Sequence, residues 1–187
     1  LRSKRWFDVQ PDFEAAHYLT GFGHPDGRFR FRPDWSECAP KGFGPDGTPG
    51  DMPAFPDYWG REDRATPEKP FRMSTSPARN FLNSSFTETP TSKKRENRPT
   101  VKIGAADAGK LGIADGQLVR LSNERGTVRL HAEVFDGLRS GVIIVESVWP
   151  NAAFVDGLGI NALTSAEPGA PVGGGLFHDT AVAVEAA

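Results

Sequence analysis

Residues 101–145 read VKIGAADAGKLGIADGQLVRLSNERGTVRLHAEVFDGLRSGVIIV, and this stretch contains the signals that decide the fold. Short runs rich in Val, Ile and Leu alternate with turns that contain glycine, as in consecutive β-strands. Apolar side chains take every second position of residues 127–135, so this strand has one face for a core and one for water. The apolar face consists of Val128, Leu130, Ala132 and Val134, and the polar face of Thr127, Arg129, His131 and Glu133.

The remaining strand signals predict a small closed barrel. Residues 142–145 form a continuous apolar run, which is expected of a strand buried on both faces. Residues 105–111 are predicted to form a short helix that ends at Gly112, because glycine readily adopts the left-handed conformation of a helix C-terminus. Five or six short strands with tight turns favour a barrel, since closure leaves no exposed strand edge. The predicted strands are 101–103, 117–123, 127–135, 142–145 and 180–185, with a further candidate at 69–74.

The first hundred residues differ in composition from the rest. They contain 13 of the 16 prolines and 15 of the 19 aromatic residues, but one valine and no isoleucine. Residues 40–58 hold five prolines and are predicted to form a long loop, because proline cannot donate to a β-ladder. Residues 28–32 alternate Phe and Arg like a short strand, and residues 93–98 are predicted to be a polar linker. We therefore expect an irregular Pro-, Gly- and aromatic-rich segment that lies on another surface, followed by a β domain.

Composition and motifs disfavour several classes of function. With 22 basic and 24 acidic residues the net charge is −2, which gives no broad footprint for nucleic acid or an anionic membrane. The single cysteine, Cys38, excludes an internal disulfide framework and a cysteine-ligated cluster. No apolar run approaches the roughly 18 residues of a membrane helix. Because no hydrolase, zinc-peptidase or P-loop motif is present, no catalytic and no metal-ligating residue is predicted.

Three segments rich in small polar residues remain as candidate binding loops, namely residues 74–85, 148–164 and 173–179. Hydroxyls, amides and peptide N–H groups exposed at glycines suit a polar ligand, because they hydrogen-bond heterocycle edges and phosphate oxygens. Ser, Asn and Gly also dominate ordinary turns, so composition alone leaves both interpretations open.

Three motifs occur in a fixed order across these segments. The first is FRMSTSP at 71–77 with FLNSSF at 81–86. The second is VKIGAADA at 101–108, LGIADG at 111–116 and VRLSNERG at 119–126, and the third is GINALT at 159–164, followed by Gly174, Gly175 and Phe177. Together they resemble the C-terminal, dinucleotide-binding domain of molybdopterin oxidoreductases of the dimethyl sulfoxide reductase and formate dehydrogenase type. The resemblance covers residues 66–187, so residues 1–65 are expected to be a connector from a preceding part of a larger enzyme.

The resemblance implies a mainly β fold, a six-stranded double-psi β-barrel with short helices, that binds one pterin guanine dinucleotide. The complete enzyme would hold two of them, as bis(molybdopterin guanine dinucleotide) with molybdenum or tungsten. The subgroups of the family differ around Arg79, which is left unassigned. The residues that the resemblance implies as cofactor contacts are Ser74, Thr75 and Ser76 in the first loop, Asn83, Ser84 and Ser85 in the turn after it, Asn161 and Thr164 in the second loop, and Phe177 and His178 in the third.

The same resemblance implies that the isolated chain is inactive and acts with the remaining domains of an oxidoreductase; a further candidate partner is an electron-transfer subunit. The residues leave one alternative open, a double-psi barrel that binds a peptide or a partner domain and has no redox role. An independent hydrolase is disfavoured, because no motif brings a nucleophile, a base and an orienting group together. The chain begins at Leu1, so we expect a piece of a longer protein. The default expectation for its compartment is the cytoplasm, and an export signal would precede Leu1.

Overall fold

The computed structural model of the chain describes residues 9–32, 63–146, 148–166 and 174–187, together with Ser3 and Phe55. The chain divides into two compact units, Leu1–Asp57 and Tyr58–Ala187. The predicted loop at 40–58 lies outside the described residues, except for Phe55.

Four aromatic rings contact each other in series in the first unit. Tyr18 stacks on Phe22 with ring centroids 4.7 Å apart, Phe22 meets Phe29 edge-on at 5.2 Å, and Phe29 meets Phe31 edge-on at 4.8 Å. The predicted strand at 28–32 is wrong, because these residues have no regular strand conformation. A strand needs a neighbour for its backbone hydrogen bonds, and no strand in the described part of the chain pairs with this segment.

Six strands of the second unit close into a barrel, in the spatial order β1-β5-β2-β4-β3-β6. The β1/β5 and β2/β4 pairs are parallel, and the other four pairs are antiparallel. The predicted mainly β, six-stranded barrel is confirmed. The strands are β1 (Phe71–Ser76), β2 (Thr100–Ile103), β3 (Leu118–Ser122), β4 (Thr127–Val134), β5 (Val142–Glu146) and β6 (Thr180–Ala186).

Alternate side chains of each strand fill the barrel interior. The predicted apolar face of β4 is confirmed, since Val128, Leu130 and Ala132 are buried and Val134 packs against them. The prediction that residues 142–145 are buried on both faces is wrong. Only the alternate residues of β5 are buried and the others are half-buried, because a barrel strand has a single interior face. The largest fully buried side chains include Met73, Ile103, Leu121, Leu130, Ile143 and Leu163.

Short helices connect some of these strands. The predicted helix and its glycine end are confirmed, since Gly112 has φ +65°. The predicted polar linker at 93–98 is wrong, because most of it forms a helix. Pro90 starts that helix, and Glu96 near its end accepts hydrogen bonds from the backbone N–H and the side-chain Nδ2 of Asn80, at 2.6 and 2.7 Å. The helices are α1 (Phe13–Ala16) in the first unit, and α2 (Pro90–Glu96) and α3 (Ala105–Leu111) in the second.

Strand direction places the connecting segments at two ends of the barrel. The C-terminal ends of β1, β3 and β5 and the N-terminal ends of β2, β4 and β6 lie at the same end, which follows from the pairing directions. We call this the loop end. All three predicted polar segments leave or enter the barrel there, after β1, after β5 and before β6.

Candidate functional site

The first and third predicted loops meet at the loop end. In β1 the hydroxyl of Ser74 lies 3.4 Å from Nδ1 of His178, and the hydroxyl of Thr75 lies 3.4 Å from the same nitrogen. The Thr75 hydroxyl also lies 3.4 Å from the carbonyl oxygen of Phe177. Residues that are about a hundred positions apart in sequence are thus within hydrogen-bond reach. Bonds of this length are weak, so these hydroxyls retain capacity to bond a ligand.

An ion pair next to these contacts was not predicted from the sequence. Nη2 of Arg72 in β1 lies 2.7 Å from Oδ2 of Asp179, the residue directly before β6. Asp179 has φ +62°, a left-handed conformation that Asp adopts more readily than most residues. The ion pair therefore fixes a backbone bend immediately after His178. Arg72 is exposed on β1, and no sequence motif identified its partner.

The predicted turn at 83–85 is closed by backbone hydrogen bonds. Backbone hydrogen bonds run in both directions between Leu82 and Ser85, at 3.1 and 2.8 Å, and Asn83 between them has φ +50°. The carbonyl oxygen of Ser84 accepts from the hydroxyl of Thr87 at 3.0 Å. This turn presents the exposed side chains of Asn83, Ser84 and Ser85 to the surroundings.

The segment before that turn is anchored in the core. Phe81 is buried, and its ring packs edge-on against that of Trp149 with centroids 4.8 Å apart. Trp149 follows β5, so this contact joins the first and second loops close to where both leave the barrel. Arg79, which the motif left unassigned, has an exposed side chain.

The second loop ends in a tight turn that exposes Asn161. Ile160–Ala162 forms one 3₁₀ turn, and Leu163 directly after it is fully buried. The hydroxyl of Thr164 donates to the carbonyl oxygen of Asn161 at 3.2 Å, so at least one bond of Thr164 serves the turn itself. The side chain of Asn161 is exposed, whereas Leu163 secures the turn to the barrel.

A carboxylate at the loop end is paired with a lysine. Glu146 is the last residue of β5 and pairs in register with Ser76 of β1. Nζ of Lys102 lies 2.8 Å from Oε1 of Glu146 and 3.9 Å from Oε1 of Glu133. Burial acts to lower the pKa of Lys102, but the hydrogen bond and the attraction of these carboxylates outweigh it, so that its pKa is raised. The ammonium group thus offsets the carboxylate that would otherwise repel an anionic ligand beside Ser76.

These groups suit a polar heterocyclic ligand that carries phosphates. The loop end supplies hydroxyls at Ser74 and Thr75, an imidazole at His178 and an exposed amide at Asn161, all of which can bond neutral edges or anionic oxygens. In the described part of the chain, no group of three or more His, Cys, Asp or Glu side chains could hold a metal ion. Among the same residues, no helix is long and apolar enough to cross a membrane.

The family comparison matches the segment that forms this end of the barrel. A family model described as the molydopterin dinucleotide binding domain matches residues 71–181. That range begins with β1 and ends at the second residue of β6, so it includes β1 to β5, the start of β6 and the three loops.

Curated relatives match the chain over a small part of their own length. A probable oxidoreductase YoaE of Bacillus subtilis is 35% identical over 139 residues, which are 72% of this chain and 19% of that protein. The putative catalytic chain of a dimethyl sulfoxide reductase of Halobacterium salinarum is 28% identical over 149 residues, 75% of this chain and 17% of that protein. Biotin sulfoxide reductase of Cereibacter sphaeroides is 43% identical over 65 residues, 34% of this chain and 9% of that protein. The chain thus spans about a fifth of the length of the first two relatives.

A solved structure shares the fold. Acetylene hydratase from Pelobacter acetylenicus superposes with a TM-score of 0.57 at 17% sequence identity, over 79% of this chain and 26% of that one. At this identity the likeness concerns the fold, and it agrees with the predicted double-psi barrel.

Proposed function

Because the chain belongs to the molydopterin dinucleotide binding domain family, we propose that its loop end binds one half of a bis(molybdopterin guanine dinucleotide) cofactor that carries molybdenum or tungsten. The observation that carries this proposal is the meeting of the first and third loops, where Ser74 and Thr75 lie within 3.4 Å of His178. Family membership supports this function over a barrel that binds only a peptide or a partner domain.

The proposed contacts divide by chemistry. Ser74, Thr75 and Ser76 are half-buried hydroxyls at the end of β1, where they can donate to phosphate or pterin oxygens. Phe177 and His178 contact Ser74 and Thr75, and the exposed Phe177 offers an aromatic ring for stacking. Further polar contacts come from the turn at 83–85 and from the second loop, through Asn83, Ser84, Ser85, Asn161 and Thr164.

The bound cofactor would supply two-electron redox chemistry at its metal, and the role of this chain is to hold it in place. Hydroxyl and amide groups bond the dinucleotide without adding a fixed charge, and Lys102 keeps the nearby Glu146 compensated. The barrel positions these groups rigidly, because the loops leave strands that are paired on both sides.

We propose that the whole protein is a molybdopterin-dependent oxidoreductase in which residues 66–187 form the cofactor-binding domain and residues 1–65 a connector. Relatives that are several times longer, and whose names denote an oxidoreductase and two sulfoxide reductases, support this proposal. In it the remaining domains of the enzyme contact the loop end, an electron-transfer subunit supplies or removes electrons, and the isolated chain is inactive.

The test uses the whole protein with Asn161→Ala and, separately, Asn83→Gly, a substitution that tolerates the positive φ of position 83. Asp136→Ala is the matched control, because Asp136 is exposed in the turn after β4, at the opposite end of the barrel. The measurement is the amount of released pterin and of metal per protein. We expect pterin in the wild type and the control and a several-fold lower content in both variants. Unchanged content in the variants would overturn the site, and a wild type without pterin would overturn the function.

A further inference from the structure

Asn123 begins the turn between β3 and β4, and its side-chain amide makes hydrogen bonds in two directions. Its Oδ1 accepts from the backbone N–H groups of Arg125 at 2.9 Å and Gly126 at 3.3 Å. Its Nδ2 donates to the carbonyl oxygens of Leu163 at 2.8 Å and Ala181 at 3.4 Å. The oxygen thus shapes the local turn, whereas the nitrogen reaches two other segments.

Those two carbonyls belong to different parts of the candidate site. Leu163 directly follows the 3₁₀ turn that exposes Asn161. Ala181 is the second residue of β6, and His178 lies three positions before it in the third loop. A single amide nitrogen therefore connects the base of the second loop with the strand that follows the third.

The backbone of the turn lies directly against the second loop. A Cβ atom placed on Gly126 would lie 2.9 Å from the carbonyl oxygen of Ala162, a separation that leaves no room for a side chain. Nη1 of Arg125 also approaches the carbonyl oxygen of Leu163, at the longer distance of 3.5 Å. That guanidinium already bonds both carboxylate oxygens of Asp63, at 2.9 and 3.0 Å. The short bond to Leu163 therefore depends on Asn123.

We propose that Asn123 is a positioning residue for the cofactor, whose Nδ2 fixes the Asn161 turn relative to β6. The proposal rests on the proposed function and extends it to a residue outside the set of direct contacts. Without this donor, the turn at 160–163 is held by weaker bonds and Asn161 samples orientations that do not suit the cofactor.

The substitution Asn123→Asp removes the donor Nδ2 of the side chain and keeps the acceptor Oδ1, so it tests the role of the donor alone. A carboxylate keeps the oxygen that caps the Arg125 and Gly126 N–H groups, but it cannot donate to Leu163 and repels its carbonyl oxygen. Gln117→Glu is the matched control. The Oε1 of Gln117 likewise caps a backbone N–H, that of Ala114 at 2.9 Å, and the same charge is added at the opposite end of the barrel.

The first measurement is hydrogen exchange of the whole protein after removal of the cofactor, followed by peptide for residues 160–166 and for the strands. For Asn123→Asp we expect exchange about tenfold faster in 160–166 with the strands unchanged, as loss of one partly buried hydrogen bond predicts for local opening. Gln117→Glu should leave 160–166 unchanged. Equal exchange in wild type and Asn123→Asp, or a uniform increase across all strands, would overturn the proposal.

The second measurement is the rate of pterin loss from the loaded protein, in a double-mutant cycle with Asn161→Ala. If Asn123 acts through the Asn161 turn, Asn123→Asp speeds pterin loss several-fold in the wild type and adds little in the Asn161→Ala background. Additive effects would assign Asn123 a general structural role and refute the proposal. Absence of pterin from the wild type would instead refute the underlying function, while the exchange result would still report on the turn. Should Asn123→Asp fail to fold, Asn123→Ser, which retains a small turn-capping hydroxyl, gives the same comparison.

Discussion

Arg72 and Asp179 form an ion pair at 2.7 Å that joins β1 to the bend between the third loop and β6. The bend directly follows His178, whose ring nitrogen lies 3.4 Å from the hydroxyls of Ser74 and Thr75. The ion pair and these longer contacts therefore hold the same two segments together.

The substitution Asp179→Asn tests whether this ion pair holds the third loop. Asn tolerates the positive φ of position 179, so the change removes the charge and leaves the bend intact. Both partners are exposed, so the free energy of unfolding should fall by less than about 1 kcal/mol. We expect faster hydrogen exchange in residues 174–179. Glu185→Gln, which breaks the exposed Arg120–Glu185 pair elsewhere on β6, should not change that exchange.

Thr180 offers a test of an unsatisfied hydroxyl. It is the first residue of β6 and is fully buried, and its Oγ1 has no hydrogen-bond partner among the described residues. Replacement of Thr180 by Val removes this unsatisfied group and keeps the shape, so we expect equal or greater stability, by up to about 1 kcal/mol in urea unfolding. Thr87→Val is the contrasting variant. The hydroxyl of the buried Thr87 donates to the carbonyl oxygen of Ser84, so its removal should lower the free energy of unfolding by about 1 kcal/mol. Destabilisation by Thr180→Val of the same size would show that its hydroxyl is bonded.

Sequence periodicity predicted the features that depend on neighbouring residues. The alternation of β4 identified its buried face, and Gly112 marked the end of α3, because both signals arise within a few residues. It failed at residues 93–98, where the charges indicated a linker. That segment is mostly helical, with Pro90 in the first turn of the helix, and Glu96 accepts a hydrogen bond from the backbone N–H of Asn80, a contact that the charges of residues 93–98 do not reveal.

In the candidate site, too, the sequence predicted local features but not the contacts between distant segments. The motifs identified the three polar loops, but their common location depends on the parallel pairing of β1 with β5 and the antiparallel pairing of β1 with β6. Pairing partners are set by the closed barrel as a whole, so a single sequence does not reveal them. The partner of Asp179 was missed for this reason.

Asp107 should make stability depend on pH. It is buried in α3, and its carboxylate accepts from the hydroxyl of Ser140 at 2.6 Å and the backbone N–H of Gly141 at 2.7 Å. The Ser140 hydrogen bond lowers the pKa of Asp107, burial opposes this, and Gly141 and Lys110 add to the lowering, so that the pKa lies below its ordinary value. A carboxyl with a depressed folded-state pKa contributes stability above its unfolded pKa, near 3.9, and this is lost as pH falls through the folded value.

The substitution Asp107→Asn tests this linkage. The substitution should lower the free energy of unfolding by about 1–3 kcal/mol at pH 7, because the hydrogen bonds from Ser140 and Gly141 lose their charged acceptor. The cost should shrink as pH falls below about 4 and the wild-type carboxyl becomes protonated. Urea unfolding at pH 7 and at pH 3 measures both values. A cost that does not change between the two would contradict the pKa direction.

Gly126 links the stability of the barrel to the geometry of the second loop. Because a Cβ at this position would lie 2.9 Å from the carbonyl oxygen of Ala162, Gly126→Ala must displace either the β3–β4 turn or the turn that exposes Asn161. We expect a loss of about 1–3 kcal/mol in the free energy of unfolding, as for other overpacked sites, together with faster pterin loss from the whole protein. The control is Gly109→Ala in α3, where a Cβ meets nothing within 4 Å and the higher helix propensity of Ala should stabilise by up to about 1 kcal/mol. Stability of Gly126→Ala equal to that of the wild type would contradict the close approach of Gly126 to Ala162, whereas lower stability with unchanged pterin retention would show that the β3–β4 turn, and not the turn that exposes Asn161, is the segment displaced.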